Sequence, residues 1–315
     1  MSHLKKYTVA LAIVVMLFGA GACRKNFGEI NTNPNVVINP DIGFLLTYAE
    51  DKIITYQYTE WIWESMEQLM RFTQHLTTDP YELTSNVNLR YGTFYRDVLP
   101  NLVEIRNQVS KKADSANYRK AAALTYIAGV MHGLKVTDMN GAIPYTEATK
   151  ARTEGRFDPV YDSQEALLTL WLTQLNSSIA TLADNSLTGQ YNFGTADVYY
   201  KGDWIKWIKL ANSLKLRIAA RLENVDNART RTIFQQVLAD ANGPITTTAD
   251  QLTYQSIDYL PFGRGGEIVY RSQRFGTTSL IDFMKRANDP RLRIYFEPNG
   301  LQGSFKDTLA KYGTT

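Results

Sequence analysis

The sequence is poor in cysteine, and Cys23 is the only one in 315 residues. A disulfide within the chain needs two cysteines, so the fold must be held by its hydrophobic core. Charge is nearly balanced, with 34 lysines and arginines against 31 acids and a net charge of +3. Proteins that bind nucleic acids through their surface charge carry a larger basic excess, so the composition argues against that function.

Histidine is also scarce, with only His3, His75 and His132 in the chain. No two of them stand at the spacing of a zinc site, and no cysteine cluster takes their place. The G-x-S-x-G motif of serine hydrolases is absent from the sequence as well. The sequence therefore predicts a protein that is not an enzyme and has no metal or other cofactor. A glycosidase built from two unremarkable carboxylates is the alternative.

Two loops resemble known ligand loops only in part. Residues 263–266, Gly-Arg-Gly-Gly, lack the lysine and hydroxyl residue of a phosphate-binding loop. Residues 138–141, Asp-Met-Asn-Gly, begin like a calcium loop, but Thr149 stands at the twelfth position, where a glutamate would bind the ion. We interpret the first loop as a turn and the second as the end of a helix.

The N-terminus has the three parts of a secretory signal peptide. Lys5 and Lys6 give a basic start, residues 9–18 (VALAIVVMLF) are apolar, and the small residues 19–22 (GAGA) lead to Cys23. The apolar run is shorter than the about 20 residues that cross a bilayer. We expect residues 1–22 to be removed, which lowers the net charge from +3 to +1 because two lysines and no acids are lost. A buried N-terminal helix of a cytosolic protein is the alternative.

Cys23 follows directly after the expected cleavage site. Its position resembles the lipobox of bacterial lipoproteins, in which the thiol takes a diacylglycerol and becomes the first mature residue. Ala20 stands where the lipobox usually has leucine, and Ala20-Gly21-Ala22 also fits ordinary secretion. A single cysteine in an exported protein needs an explanation. We expect Cys23 to be lipidated, with palmitate among the acyl chains, since two or more chains anchor a protein stably.

Aromatic residues are abundant, with 19 tyrosines, 13 phenylalanines and 5 tryptophans. Trp204 and Trp207 are expected in the core. Of Trp61 and Trp63, one is expected in the core and one at a contact surface, because alternate residues of a helix point to different faces. A tyrosine excess in an exported, near-neutral protein also suits a surface that binds sugars or peptides.

Hydrophobic periodicity predicts a mainly α-helical fold. The clearest helix covers residues 203–222, where an apolar stripe faces one way, lysines and arginines fall on the other face, and Asp203 can cap the start. Further helices are expected over residues 44–76, 91–111, 113–136, 163–183, 228–241 and 279–287, with an interruption near Pro100, loops over 77–90 and 137–159, and short strands within 246–270. Strong helices begin about 40 residues apart, which suggests stacked pairs of the tetratricopeptide type.

Five stretches, taken in order, resemble the SusD/RagB family of surface lipoproteins, which sit on a TonB-dependent outer-membrane transporter. They are FGEINTNPN (27–35), VTDMNGAIPYTEA (136–148), YDSQEALLTLWLTQL (161–175), GDWIKWIKLANSLKLRIAARL (202–222) and NDPRL (288–292). In the fourth stretch, the family-like positions are Trp207, Asn212, Ser213, Leu214 and Arg217. Family members are usually longer, so the resemblance implies a member truncated at its C-terminus, without the ligand contacts that the last third supplies.

The resemblance implies a SusD-like fold that is mainly α, with tetratricopeptide-like helix pairs, long loops and few short strands. It implies a lipidated tether over residues 23–43 and a SusD-like helical domain over residues 44–315. It also implies binding without catalysis. The protein would capture an oligosaccharide at the outer membrane, facing the exterior, and deliver it to a SusC-like TonB-dependent transporter.

Ligand contacts in this family lie partly in the loop before the helix that here begins near Tyr91. The resemblance therefore implies five ligand-binding residues, namely Tyr81, Asn86, Asn88, Arg90 and Tyr91. Tyrosine offers a flat apolar face and a hydroxyl to a sugar, and asparagine and arginine supply directional donors. The alternative is a polar loop whose two tyrosines pack inward.

Three other functions stay open. The chain could be a peptide-binding member of the same family, a secreted glycan-active enzyme or a structural tetratricopeptide-like adaptor. Product release from a polysaccharide would favour the enzyme. Tight binding to a protein, without any glycan or peptide ligand, would favour the adaptor.

Overall fold

The computed structural model describes residues 40–54, 69–77, 89–254 and 275–296. Residues 42–315 form one compact unit, and residues 1–41 form another, of which only residues 40 and 41 are described. The expected signal peptide, Cys23, Trp61, Trp63 and the turn predicted at residues 263–266 lie outside the described residues.

Helices make up most of the described chain, which confirms the mainly α fold. In chain order they are α1 (Ile42–Ile53), α2 (Met70–Phe72), α3 (Leu89–Thr93), α4 (Leu99–Ser110), α5 (Arg119–Asn140), α6 (Ala151–Glu154), α7 (Gln164–Ala183), α8 (Trp204–Leu222), α9 (Asn227–Ala239), α10 (Thr278–Arg286) and α11 (Leu292–Tyr295). The strands of the described ranges are two residues each, and β1 (Leu76–Thr77) pairs antiparallel with β2 (Phe275–Gly276). Within these ranges, no helix is long and apolar enough to cross a membrane.

Helix α5 lies at the centre of the core. Its side chains are buried on nearly every side, because α4, α7 and α8 all pack against it. Gly133 allows α7 to come close, since a Cβ at this position would lie 2.8 Å from Cζ2 of the fully buried Trp171. Helices α7, α8 and α9 then pack on one another in turn, as expected of stacked helix pairs.

The start of α8 follows its sequence signal. The Asp203 carboxylate accepts hydrogen bonds from the backbone N–H of Ile205 and Lys206, at 3.0 and 3.2 Å, and so caps the helix as predicted. Trp207 is fully buried, as predicted for a core residue. Trp204, also predicted in the core, is only partly buried at the first position of α8, where the Lys120 ammonium lies over its ring at 4.1 Å.

Lys215 is the exception to the predicted division of α8 into two faces. It stands four residues after Ala211, on the apolar face, and is only 5% exposed. Burial lowers the pKa of Lys215, although the nearby Asp240 carboxylate acts in the opposite direction. The prediction that the lysines and arginines of this helix all lie on its polar face was therefore wrong at this position.

Several predicted elements differ from the observed ones: the helix expected from residue 113 begins at Arg119 after a 3-10 turn, and the loop expected over 137–159 contains α6. Helix α5 continues to Asn140 instead of ending at Val136, and Gly141, with φ of 71°, ends it. The interruption expected near Pro100 is a π-helical turn, Phe94–Val98, which directly precedes α4. The proline lies in the first turn of α4, where its missing N–H costs no hydrogen bond. In the described part of 246–270, residues up to 254 hold a 3-10 turn, Thr248–Asp250, in place of a strand.

The family-like residues of α8 hold the fold together. Arg217 and Arg221 bind the Asp138 carboxylate of α5, at 3.1 and 2.6 Å. Burial raises the pKa of Asp138, but hydrogen bonds from both arginines outweigh it and lower the pKa overall. Asn212 donates to the Gly243 carbonyl at 3.1 Å, so α8 also fixes the turn after α9.

Candidate functional site

The structure describes two of the five predicted ligand residues. Arg90 and Tyr91 lie in α3, whereas Tyr81, Asn86 and Asn88 lie outside the described residues. The Arg90 side chain is only 7% exposed, which leaves little of it to meet a ligand from solvent. Tyr91 is partly exposed and packs against the core on one side.

Tyr91 belongs to a cluster of three tyrosines, which we call the aromatic platform: Tyr91, Tyr95 and Tyr161. The Tyr91 and Tyr95 rings are 4.6 Å apart between centroids and are tilted by 54°. The Tyr91 and Tyr161 hydroxyls are 3.4 Å apart, and Tyr161 is 59% exposed. The structure therefore brings together residues that are 70 positions apart in the sequence.

The Tyr91 and Tyr95 phenols of the platform remain neutral at ordinary pH. Partial burial, together with the hydrogen bond to Tyr161, raises the pKa of Tyr91 to about 12. Burial, together with the neighbouring tyrosines, also raises the pKa of Tyr95, whose hydroxyl donates to the Pro144 carbonyl at 2.5 Å. The platform thus offers uncharged rings and hydroxyls, which can stack on a ligand and exchange hydrogen bonds with it.

Asp162 fixes the loop that carries Tyr161. Its Oδ2 accepts hydrogen bonds from the backbone N–H of Tyr145 and Thr146, at 2.9 and 2.8 Å, and its Oδ1 accepts one from the Thr146 hydroxyl at 2.8 Å. The backbones of Ile143 and Asp162 also form an antiparallel bridge. The backbone position of Tyr161 is therefore set by its neighbour in the chain, while its hydroxyl contacts that of Tyr91.

A second brace holds the middle of the same loop. Glu147 forms an ion pair with Arg156 at 2.5 Å and accepts a hydrogen bond from the backbone N–H of Val160 at 3.1 Å. Between these contacts, the Phe157 side chain is 83% exposed. The loop over residues 141–163 therefore presents aromatic side chains to solvent from a backbone that is tied down at several points.

Sequence reasoning did not single out Tyr161 or Phe157. Tyr161 lies within the family-like stretch YDSQEALLTLWLTQL, but no ligand role was assigned to it. The available signal was local: a tyrosine just before the Ser163 cap of α7, in a loop that also contains Pro159. That signal marks an exposed residue but cannot show that Tyr91 is its neighbour.

A family described as SusD-like, starch-binding and associating with the outer membrane matches residues 34–313. The chain belongs to the SusD-like family. The match covers most of the chain and includes both α3 and the loop of the aromatic platform. The comparison with curated proteins gave no match.

Solved structures of SusD homologues share this fold. A chitin-binding protein is similar with a TM-score of 0.62 and 24% identity, over 80% of this chain and 54% of that one. A SusD homologue from Bacteroides vulgatus is similar with a TM-score of 0.63 and 20% identity, over 82% of this chain and 53% of that one. A chitin-binding SusD homologue from Flavobacterium johnsoniae is similar with a TM-score of 0.61 and 22% identity, over 83% of this chain and 56% of that one. The chain spans about half the length of these proteins.

SusD-like proteins are binding proteins rather than enzymes. In the part of the chain that the structure describes, no three histidine, cysteine or acidic side chains come together as metal ligands. Asp138, which begins the partial calcium motif, is held by two arginines, and its helix ends at Gly141. The interpretation of that motif as the end of a helix is confirmed.

Proposed function

We propose that this chain is a glycan-binding lipoprotein of the outer-membrane surface, which captures an oligosaccharide and delivers it to a TonB-dependent transporter without chemical conversion. The observation that carries the proposal is the Tyr91–Tyr161 pair, whose hydroxyls are 3.4 Å apart, with Tyr91 on α3 and Tyr161 on the braced loop. A rigid aromatic surface binds with little loss of conformational entropy. The description of the family as starch-binding and the chitin-binding structures of the same fold support this proposal.

A sugar suits the platform better than a charged ligand does. The C–H groups of a pyranose ring can stack on the exposed tyrosine faces, and its hydroxyls can exchange hydrogen bonds with neutral phenols. The raised pKa of Tyr91, about 12, keeps that phenol protonated and able to donate. Tyr81, Asn86 and Asn88 remain proposed ligand residues, on the chain that leads into α3. Arg90, inside α3 and 7% exposed, is not retained.

Binding to polysaccharide tests the role of the platform. We expect the purified protein to be retarded in gels that contain soluble starch, or to be depleted from solution by chitin. Tyr161→Ala should weaken this binding about tenfold, since a stacked aromatic contact contributes on the order of 1 kcal/mol or more. Tyr295→Ala, at 62% exposure in α11, is the matched control and should leave the binding unchanged.

The result can contradict the proposal in three ways. An equal loss of polysaccharide binding in Tyr161→Ala and Tyr295→Ala would mean that exposed tyrosines contribute only non-specific binding. Retardation that is unaffected by Tyr161→Ala, together with full folding, would place the glycan site elsewhere. Release of shorter sugars during the incubation would favour the glycan-active enzyme instead.

The proposed anchor is tested on its own. Cys23→Ala removes the thiol that would carry the diacylglycerol, so we expect the protein to leave the membrane fraction. A variant that still sediments with outer membranes after a high-salt wash would contradict lipidation at Cys23. Purification of the wild-type protein in mild detergent should bring a TonB-dependent transporter with it, and its absence would contradict the delivery role.

A further inference from the structure

A cavity of about 530 Å³ lies beneath the other end of the 141–163 loop. Its walls come from α4, α5, α7 and the residues around Tyr145. Exposed residues at its edge, Lys111, Thr153 and Glu154, show that it opens to solvent. Its volume lies within the range of about 300–1,000 Å³ that is usual for small-molecule sites. The platform tyrosines do not line it.

Arg106 is the residue that sets the chemistry of this cavity. Its guanidinium is largely buried and lies over the Tyr126 ring, at 4.3 Å from the centroid. One N–H donates to the Thr125 hydroxyl at 2.9 Å. A guanidinium has five N–H donors, so most of them are unused within the described ranges. No carboxylate of the described chain forms an ion pair with it either.

A partly buried cation without a counter-ion is unfavourable, because the charge has lost part of its water and gained no partner. Burial indeed lowers the pKa of Arg106, and only the weak influence of Tyr145 and Tyr126 acts in the other direction. An anion placed in the cavity would supply the missing partner. Arginine binds a carboxylate through two parallel N–H···O bonds, which gives geometric selectivity as well as attraction.

The charge of the remaining wall agrees with an anionic ligand. Lys111 and Lys150 add two further cations, and Glu154 is the one acid among the lining residues. Glu154 lies 3.7 Å from the Lys150 ammonium, which is too long for a tight pair. The field inside the cavity is therefore positive, and it is strengthened by the low dielectric around Arg106.

The rest of the wall mixes polar and aromatic side chains with the apolar Leu99, Val103, Ala148 and Leu170. The Tyr145 hydroxyl donates to Gln174 at 2.9 Å, which fixes both side chains. Asn107, Thr146 and Thr149 add donors and acceptors for hydroxyl groups. A sugar acid matches this mixed wall, because its hydroxyls suit the polar side chains and the C–H face of its ring suits the apolar ones.

We propose that this cavity binds one carboxylate-bearing sugar residue, a uronic acid, with its carboxylate on Arg106 and its hydroxyls on the polar wall. The site is separate from the aromatic platform and does not depend on glycan binding there. It would allow the protein to distinguish acidic from neutral saccharides. The aromatic platform would then bind neutral sugar rings, and the positive cavity would bind a carboxylate.

Calorimetric titration of the full chain with two probes tests the proposal. Sodium glucuronate and glucose differ only in the oxidation of C6, so their comparison isolates the carboxylate. We expect glucuronate to bind at least about tenfold more tightly than glucose, the difference expected for one charge-assisted pair. Arg106→Gln should remove that preference, and Lys150→Gln should weaken glucuronate binding by a smaller factor.

Two controls separate this site from other effects. Arg119→Gln removes one exposed cation outside the cavity and should leave glucuronate binding unchanged. Tyr161→Ala should also leave it unchanged, even if that variant loses starch or chitin binding. Failure of polysaccharide binding would therefore not count against the cavity, and failure of glucuronate binding would not count against the platform.

Three results would overturn the proposal. Equal affinity for glucose and glucuronate would show that the cavity does not recognise the carboxylate. Loss of binding in Arg119→Gln as large as that in Lys150→Gln would show that only net charge matters. No heat of binding for glucuronate at millimolar concentration would show that the cavity is not a uronic acid site. If Arg106→Gln fails to fold, Lys150→Gln and the two probes still decide the matter.

Discussion

Asp197 and Asp162 each collect several hydrogen bonds from the chain around them, but one does so in the core and the other near the surface. Asp197 is fully buried and accepts four hydrogen bonds between 2.7 and 3.0 Å, from the backbone N–H of Tyr199, Tyr200 and Gly202 and from the Trp207 indole. Asp162 accepts three, and the bonds from Thr146 are at an exposed position. Burial is the main physical difference between the two.

Because of this difference in burial, Asp197 matters mainly for the stability of the fold and Asp162 mainly for the position of the loop that carries Tyr161. If Asp197 were removed, its buried donors could not turn to water, and each would be left unsatisfied in the core. Around Asp162, water can replace much of what is lost. The same arrangement of a carboxylate and backbone N–H groups therefore holds the helices together in one region and positions the loop that carries Tyr161 in the other.

The largest expected effect is in the buried region. Trp207→Ala removes a fully buried ring and the donor to Asp197, so we expect a loss of about 3–5 kcal/mol in the free energy of unfolding. Urea denaturation followed by circular dichroism measures it. Trp207→Phe keeps most of the packing and should cost less. A thermal midpoint that Trp207→Ala leaves unchanged would contradict the buried role of this residue.

A smaller loss of stability is expected when the hydrogen bonds of Asp162 near the surface are removed. Asp162→Ala should reduce the free energy of unfolding by about 1–2 kcal/mol, because its hydrogen bonds lie close to water. The same variant should weaken polysaccharide binding, since Tyr161 loses its fixed neighbour. Gel retardation and urea denaturation of one preparation give both values. A destabilisation as large as that of Trp207→Ala would remove the distinction between the two regions.

The smallest expected effect is a pH dependence of stability that arises from Glu50 in the buried region. Burial and the nearby Asp197 carboxylate raise the pKa of Glu50 well above its ordinary value of 4.5. Its Oε2 accepts a hydrogen bond from the Val198 backbone at 2.7 Å, and its Oε1 accepts none within the described chain. The folded protein therefore holds a proton that the unfolded chain releases more easily.

The sign of the pH effect follows from that difference. The stabilisation from protonated Glu50 is complete below pH 4.5 and is lost as the pH rises through the raised value in the folded state. Glu50→Gln should remove this decline. The thermal midpoint of the variant should therefore fall less than that of the wild type between pH 5 and pH 8, a range that lies above the ordinary carboxyl pKa of about 4.3. Parallel curves for the two proteins would mean that Glu50 is ionised in the folded state.

Local signals in the sequence predicted the helices well. Asp203 and Ser163 cap helices at the positions where short-range hydrogen bonding favours them, and Trp207 falls on the apolar stripe of α8. Such features depend on residues within one or two turns of each other, which a sequence displays directly. The extension of α5 to Asn140 was missed because Thr137 and Asp138 have low helix propensity, which contacts with α8 and α7 override.

The mainly helical fold, the family and the position of Tyr91 at the start of a helix could be predicted from local patterns of residues. Three features depend on how the helices pack: Tyr91 meets Tyr161 across 70 residues, Lys215 is buried, and Arg106 lines a cavity without an acidic partner in the described chain. Periodicity records which face of a helix is apolar, but not which helices pack together. Distances between distant residues arise only when the helices pack, because packing chooses one arrangement among many that the same pattern allows.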